Sequence, residues 1–177
     1  RTTEVENERS FRSEMLHDSL TGLPNRAAFC ETVEAAMQEA EAEDRLAVLV
    51  LDLSRFSRVN ESMGSLAGDE LLITVARRIV SALRTGDELA RIGGDEFAVI
   101  VDSMHSPADA AAIAQKLIEQ VTVNEGEFRL GASIGIAFIP ECGNNVEDIL
   151  RAADAAMYTA KRGGKGQYRF HESVDNR

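Results

Sequence analysis

Two short apolar segments separated by a pair of glycines constrain the fold of this chain most strongly. Residues 88–92 and 97–101 have the composition of strands, and Gly93 and Gly94 between them tolerate the positive φ angles of a tight hairpin turn. Two adjacent acids, Asp95 and Glu96, follow the glycines. Carboxylates at the mouth of an apolar hairpin are costly unless they are solvated, paired or bound to metal. Taken alone, the hairpin favours a solvent-exposed acidic tip.

A second predicted strand ends in a third carboxylate. Residues 46–51 form a continuous apolar run, which is typical of a strand covered on both faces, and the run ends in Asp52. A hairpin packed beside this strand would bring Asp95 toward Asp52. Two carboxylates with nearby backbone carbonyls suit Mg²⁺ that carries substrate phosphates. Asp52 alone is equally compatible with a helix cap, but the joint pattern favours a metal site.

The remaining patterns predict an α/β domain. We expect helices over residues 26–43 (capped by Asn25), 56–63, 66–83, 107–123 and 146–162, and further strands over residues 128–139 and 168–170. Helices that alternate with strands, with a hairpin in the middle, predict a mixed, partly antiparallel central sheet flanked by helices.

Residues 91–97, Arg-Ile-Gly-Gly-Asp-Glu-Phe, resemble the signature of the GGDEF family, the bacterial diguanylate cyclases. Other segments are similar to further motifs of the family, in the same order and spacing: residues 17–26, 52–69, 132–136 and 154–161. The resemblance covers nearly the whole chain. It implies a palm-like, ferredoxin-related fold shared with other nucleotidyl cyclases, in an output domain of a bacterial signalling protein.

The resemblance also implies a reaction, in which two GTP molecules condense into cyclic di-GMP with release of two pyrophosphates. Each 3′-hydroxyl would attack the other α-phosphate, with two Mg²⁺ or Mn²⁺ ions held by Asp52, the Leu53 carbonyl and Asp95. Asp95 would accept the proton, and Glu96 would assist. Since one domain holds one GTP, a twofold homodimer is expected.

Asn60 and Asp69 bracket the turn over residues 61–68 and coincide with the guanine contacts of the family. A carboxylate suits guanine because its N1–H and exocyclic amine are adjacent donors, which adenine lacks. The alternative is that both residues only cap or close the neighbouring helices.

The substrate phosphates are expected to meet backbone N–H groups at the start of the short helix and cations at the end of the last one. By resemblance, Lys161 and Lys165 would point at the triphosphate, although lysines there also complement a helix dipole. The remaining expected substrate-binding positions are Ser54, Arg55, Phe56, Ser57, Gly93 and Gly94.

Arg84 and Asp87, with five residues between Asp87 and Gly93, match the site at which cyclic di-GMP inhibits members of the family. An arginine at a helix end followed by a turn aspartate is the simpler alternative. The spacing favours the allosteric product site.

Several positions depart from the family pattern. Ser57 stands where active members usually have a lysine, and Ser54, Glu61 and Ser65 replace the usual Asp, Asp and His. A weak cyclase is one interpretation. The other is a noncatalytic regulatory module that binds GTP or cyclic di-GMP.

Composition and length set the remaining expectations. A net charge of −11 argues against a nucleic-acid surface. No run reaches membrane-spanning length, no secretory leader is visible, and the two scattered cysteines predict reduced thiols, so we expect a cytoplasmic location.

We expect residues 18–170 to form the GGDEF domain and residues 171–177 a linker, leading to a neighbour such as a phosphodiesterase. Residues 1–17 are expected to connect to an upstream sensor or to be a solvated helix.

Overall fold

The computed structural model describes residues 15–41, 44–102, 104–125, 128–164 and 167–171. The helices in these residues are α1 (Arg26–Glu39), α2 (Phe56–Met63), α3 (Ser65–Ala82), α4 (Pro107–Val121) and α5 (Val146–Arg162). The strands are β1 (Leu46–Ser54), β2 (Glu88–Arg91), β3 (Glu96–Val101), β4 (Val123–Glu125), β5 (Phe128–Ile139) and β6 (Tyr168–Phe170).

The boundaries differ from the expected ones in two places. Helix α1 ends at Glu39 and not near residue 43, because Ala40 adopts an extended conformation (φ −66°, ψ 134°). Helix α4 ends at Val121, and the three residues of β4 follow it as a strand that the sequence pattern did not predict. Met15 and Leu16 are helical, whereas the rest of the expected N-terminal helix, residues 1–14, lies outside the described residues.

The strands form one mixed sheet in the order β2-β3-β1-β5-β4, with β6 beside β5. Neighbouring strands are antiparallel, except that β5 and β6 are parallel. This arrangement confirms the predicted fold class, and it places β1, with its terminal acid, at the centre of the sheet.

The two faces of β1 are buried by different helices. Leu49, Leu51 and Leu53 belong to a core with α3 and α4, whereas Val48 and Val50 belong to a core with α1 and α5. Because side chains alternate along a strand, Asp52 projects to the same face as Val50, toward α5. The sequence run 46–51 is therefore apolar throughout because both of its faces are covered.

Helix α5 lies very close to β5 at a glycine. A Cβ atom on Gly135 would stand 1.9 Å from the Ala153 carbonyl oxygen and 2.2 Å from the Met157 nitrogen. Only glycine permits this approach, and it brings the last turn of α5 over the end of β1. Within the described part of the chain, no helix has both the length and the apolar character needed to cross a membrane.

Candidate active site

The candidate site lies at the end of the three central strands. Asp52 on β1 is paired with Glu96 on β3 and with Ser133 on β5. Directly opposite residues of antiparallel strands project to the same face, so the three side chains form a row across the sheet. Only 6% of Asp52 is exposed to solvent. An acid buried to this degree requires a charged partner or a bound cation.

Asp95 lies beside Asp52, as the sequence predicted. The backbone N–H of Leu53 donates to the carbonyl oxygen of Asp95 at 3.1 Å, which fixes the turn against the end of β1. Burial raises the pKa of Asp95 above its ordinary value of 3.8, and the nearby carboxylate of Asp52 raises it further. The site therefore concentrates negative charge before any cation binds.

Lys161, in the last turn of α5, binds this acidic pair directly. Its Nζ donates to Oδ2 of Asp52 at 2.6 Å, and the side chain of Lys161 remains half exposed. The hydrogen bond to Asp52 raises the pKa of Lys161, and the charges of Asp95 and Glu96 add to the effect. The ammonium group is thus positively charged and held at the acidic end of β1. Lys165, the other expected phosphate ligand, lies outside the described residues.

Glu96 faces a second group of charges. Burial raises the pKa of Glu96, and the charges of Asp154, Asp52 and Asp95 raise it further, while Arg26 lowers it. Glu96 lines a cavity of about 420 Å³ between the hairpin, α1 and α5. A second cavity, of about 380 Å³, lies beside Gly93 and Gly94 and shares Arg26 with the first. The two cavities thus lie next to each other along α1, beside the hairpin turn. Arg26 and Asp154 lie within the motif segments 17–26 and 154–161, but neither has a predicted role, because the local sequence does not show that both face Glu96.

The phosphate-binding residues of the sequence prediction lie at the start of α2. Arg55 precedes this helix with a left-handed backbone (φ 67°), and no side chain caps the helix. The first N–H groups of a helix lack internal partners. In α2 the N–H of Arg58 already donates to the Arg55 carbonyl, so those of Phe56 and Ser57 are the candidates for phosphate oxygens. Ser54 is half-buried, the side chain of Phe56 is buried in the core, and Ser57 is exposed on the first turn.

The expected base-binding residues are held together by a close packing contact. A Cβ atom on Gly68 would stand 1.8 Å from Oδ1 of Asn60, so the Asn60 amide lies directly against the backbone of α3. Asp69 follows Gly68 on this helix, and both Asn60 and Asp69 are half-buried. The structure therefore packs the Asn60 amide against α3 at the residue that precedes Asp69.

An ion pair that the sequence analysis missed supports the hairpin turn. Arg91 Nη1 binds Asp18 Oδ1 at 2.9 Å, and Nη2 of the same guanidinium donates to the Gly94 carbonyl at 2.8 Å. Both Asp18 and Arg91 lie within motifs that carried the resemblance. Their contact could not be found from either motif alone because 73 residues separate them.

Arg84 and Asp87 are arranged as a closed turn. The Asp87 carboxylate accepts from the backbone N–H of Arg84 at 3.1 Å and from its Nε at 3.4 Å. The Asp87 side chain is 2% exposed, whereas that of Arg84 is 49% exposed. Asp87 thus has a structural role in this turn, and Arg84 is the member of the pair that a ligand can reach.

The donor set at the end of β1 fits a divalent ion that also binds substrate. The described residues contain no group of three or more His, Cys, Asp or Glu side chains arranged to hold a metal. The protein would supply the carboxylates of Asp52 and Asp95 and the Leu53 carbonyl. Mg²⁺ is commonly held by one or two carboxylates together with substrate phosphates. Here the two acids would bind the ion, and the uncapped start of α2 would bind the phosphates.

The central strand β1 ends in an acid, and the acidic hairpin turn lies beside it. Within this mixed sheet, the arrangement defines a palm-like domain of the nucleotidyl-cyclase type. The family model described as "Diguanylate cyclase, GGDEF domain" matches residues 15–167. The chain belongs to the GGDEF family.

Two curated relatives come from Pseudomonas aeruginosa. The chain is 45% identical over 166 residues to MucR, a bifunctional diguanylate cyclase/cyclic di-GMP phosphodiesterase, and 42% identical over 167 residues to the diguanylate cyclase TpbB. Each match covers 91% of this chain but only 24% and 38% of the respective relative. The chain therefore spans well under half the length of these relatives.

Solved structures agree with the fold. The GGDEF domain of TpbB superimposes with a TM-score of 0.82 at 42% identity, and the match covers 90% of this chain and 96% of that one. The coiled coil and GGDEF domain of DgcB from Caulobacter crescentus, in complex with c-di-GMP, gives a TM-score of 0.81 at 27% identity, with 96% and 94% covered. These comparisons confirm the family and the palm-like fold.

Proposed function

We propose that this chain is the diguanylate cyclase domain of a bacterial signalling protein, which joins two GTP molecules into cyclic di-GMP and releases two pyrophosphates. The observation that carries the proposal is the pair of acids at the end of β1, the buried Asp52 and the half-buried Asp95, beside the uncapped start of α2. The family membership and the cyclase relatives support the same reaction.

Each part of the site has a role in this reaction. Asn60 and Asp69 would bind guanine, and the N–H groups that begin α2 would bind phosphate oxygens together with Lys161 and Lys165. Asp52, the Leu53 carbonyl and Asp95 would hold two Mg²⁺ or Mn²⁺ ions. Bound there, the ions would acidify the 3′-hydroxyl and neutralise charge that develops at the α-phosphate.

Asp95 is the proposed proton acceptor. Its carboxylate is positioned at the end of β1 by the backbone hydrogen bond to Leu53, and burial together with Asp52 raises its pKa. Proton transfer to Asp95 would depend on a hydroxyl made acidic by the bound ions rather than on the basicity of the carboxylate itself. Glu96 would assist from the adjacent position, where it faces Arg26 and Asp154. Arg84 and Asp87 would form the separate site for inhibition by product.

The reaction requires two copies of the domain. One site holds one GTP, so two domains must face each other with a twofold relation, and each would contribute one nucleotide. In the whole protein we place residues 18–170 as the catalytic domain, residues 1–17 as the connector from a sensor, and residues 171–177 as a linker. A neighbouring phosphodiesterase domain would match the two activities named for MucR. Because GTP is a cytoplasmic substrate, we place the domain in the cytoplasm.

A second candidate function is a regulatory module that binds GTP or cyclic di-GMP without turnover. The residue that favours it is Ser57, which is exposed on the first turn of α2 and carries no charge toward a phosphate. The intact pair Asp52 and Asp95 favours the enzyme.

Incubation of the protein with GTP and Mg²⁺, followed by mass spectrometry of the products, separates the two functions. We expect cyclic di-GMP and pyrophosphate in a ratio of one to two, with no product from the Asp52→Asn variant. The yield should rise more than linearly with protein concentration, because the active species is a dimer. Tight GTP binding without a cyclic product, at concentrations at which the protein is dimeric, would establish the regulatory module instead.

A further inference from the structure

Ser133 lies directly opposite Asp52 on β5 and is completely buried. Its hydroxyl has no hydrogen-bond partner among the residues that the structure describes. Buried polar groups are normally hydrogen-bonded, and an unsatisfied one destabilises the folded state. A serine at this position therefore needs an explanation that its packing in the sheet does not provide.

The surroundings of Ser133 are set by the sheet register and by α5. Because Ser133 and Asp52 are paired in an antiparallel ladder, their side chains share one face, with Cβ atoms about 4.5–5.5 Å apart. Helix α5 covers this face. It contacts Gly135, two residues further along β5, through Ala153 and Met157, and it reaches Asp52 through Lys161. The Ser133 hydroxyl is thus enclosed near Asp52 beneath the last turns of α5.

Asp52 has two cross-strand neighbours, and only one of them can donate a hydrogen bond to an ionised carboxylate. Glu96, on β3, carries a carboxylate that repels Asp52. Ser133, on β5, carries a hydroxyl that can rotate among three staggered positions. Lys161 donates to Oδ2 of Asp52 at 2.6 Å, so Asp52 does not require Ser133 as a donor while this contact holds.

On the basis of the proposed function, we propose that Ser133 is a positioning residue for Asp52 in the nucleotide-bound state. A triphosphate carries more negative charge than one carboxylate, so it draws the half-exposed Lys161 away from Asp52. Asp52 then loses its donor while it must keep one orientation as a metal ligand. The Ser133 hydroxyl turns to donate to the Asp52 carboxylate and holds it there, as outer hydrogen bonds commonly do for metal ligands.

The test measures Mn²⁺ binding to the wild type, Ser133→Ala and Ser133→Thr, with and without 3′-deoxy-GTP, which lacks the attacking hydroxyl and cannot react. Electron paramagnetic resonance counts free Mn²⁺ and requires no turnover. With 3′-deoxy-GTP present, we expect Ser133→Ala to lower the Mn²⁺ affinity by about tenfold, and Ser133→Thr, which keeps the hydroxyl, to restore it. Without nucleotide, the two variants and the wild type should bind Mn²⁺ equally.

Ser133→Ala removes an unsatisfied hydroxyl, so this variant should fold and melt at or above the temperature of the wild type. Equal losses of Mn²⁺ affinity with and without nucleotide would show a general structural role and overturn the proposal. An unchanged affinity in both states would overturn it as well, while leaving the cyclase assignment intact. If the wild type itself bound no Mn²⁺ together with 3′-deoxy-GTP, the proposed function would fail along with this inference.

Discussion

Arg91 joins the hairpin turn to a segment 73 residues earlier, with its guanidinium 2.9 Å from the Asp18 carboxylate and 2.8 Å from the Gly94 carbonyl. The side chains of Arg91 and Asp18 are only 16% and 18% exposed, so solvent screens this ion pair poorly. Since Asp95 follows Gly94 directly, the ion pair controls where the acidic turn lies relative to Asp52.

Substitution of Asp18 tests this control. We expect Asp18→Asn to lower the free energy of unfolding by about 1–3 kcal/mol, because it leaves the mostly buried guanidinium without its charged partner. We also expect it to reduce cyclic di-GMP formation. Urea denaturation and product assays would measure the two effects. Glu141→Gln is the matched control, since Glu141 forms an exposed ion pair with Arg45 that should contribute little. A loss of activity without any loss of stability would contradict the structural role of the ion pair.

The ion pair also predicts a pH dependence with a definite sign. Burial alone would raise the pKa of Asp18, but hydrogen bonds from Thr21 and the contact with Arg91 outweigh burial and lower this pKa below its ordinary value of 3.8. A lowered folded-state pKa contributes stability above the unfolded value and loses it as the pH falls. The difference in unfolding free energy between the wild type and Asp18→Asn should therefore be constant near neutral pH and shrink below about pH 4.

The acid pair at the end of β1 should carry a cost in stability. Burial and the charge of Asp52 raise the pKa of Asp95 in the protein without metal, so ionised Asp95 opposes folding at neutral pH. We expect Asp95→Asn to abolish product formation and to raise the melting temperature, because it removes a carboxylate that is repelled by Asp52. Differential scanning calorimetry without divalent ions measures the effect.

Two comparisons complete this test. A raised pKa means that the folded state holds its proton more tightly, so the advantage of Asp95→Asn should diminish as the pH falls toward that pKa. Asp44→Asn, which removes an acid outside the site, serves as the control for net charge. A melting temperature that falls in Asp95→Asn at neutral pH would refute the repulsion between the two acids.

Gly68 should be required for recognition of the base. Its missing Cβ leaves room for the Asn60 amide, which would otherwise be 1.8 Å away. Alanine has a higher helix propensity than glycine, so Gly68→Ala should stabilise the helix backbone of α3. It should also displace Asn60. We therefore expect GTP binding to weaken by about tenfold, which corresponds to a loss of about 1.4 kcal/mol of contact free energy. Titration calorimetry with GTP and with ATP would show a reduced preference for guanine. Thr74→Ala, on the exposed side of the same helix, should change neither affinity.

Arg84 should be required for product inhibition but not for folding. The Asp87 carboxylate closes the turn through the backbone of Arg84, whereas the guanidinium is half exposed. We expect Arg84→Ala to weaken cyclic di-GMP binding by about tenfold or more, because a charge-assisted contact is lost. The initial rate of the reaction should be unchanged. Progress curves with added cyclic di-GMP measure the inhibition, and Arg77→Ala on the exposed face of α3 is the control. Inhibition that persists unchanged in Arg84→Ala would remove the product site from this turn.

Much of this architecture could be predicted from local sequence. The apolar run that ends in Asp52 indicated the central strand, and Gly93 and Gly94 indicated the turn that brings Asp95 beside it. The contacts of Lys161 with Asp52 and of Arg91 with Asp18 could not be predicted, because they join residues 109 and 73 positions apart through packing of helix and loop onto the sheet. Ser133 gave no signal either, since its importance depends on the register of β5 against β1.

Ser57 is the position at which activity should be easiest to gain. It is exposed on the first turn of α2, where the N–H groups have no side-chain cap and the helix dipole already favours a phosphate. A lysine there would add a mobile positive charge beside the phosphates. We expect Ser57→Lys to increase the rate of cyclic di-GMP formation by about tenfold or more, with no loss of stability, because the side chain remains in solvent.

Ser57→Gln separates charge from side-chain size in this experiment. Glutamine is long and polar but carries no charge, so it should leave the rate close to that of the wild type, and high salt should reduce the gain of Ser57→Lys by screening. Initial rates at saturating GTP and Mg²⁺, at several ionic strengths, measure both effects. Equal gains from lysine and glutamine would show that size, not charge, limits the wild type. No gain from either would mean that Arg55, Arg58 or Lys161 already supplies the charge that the phosphates need.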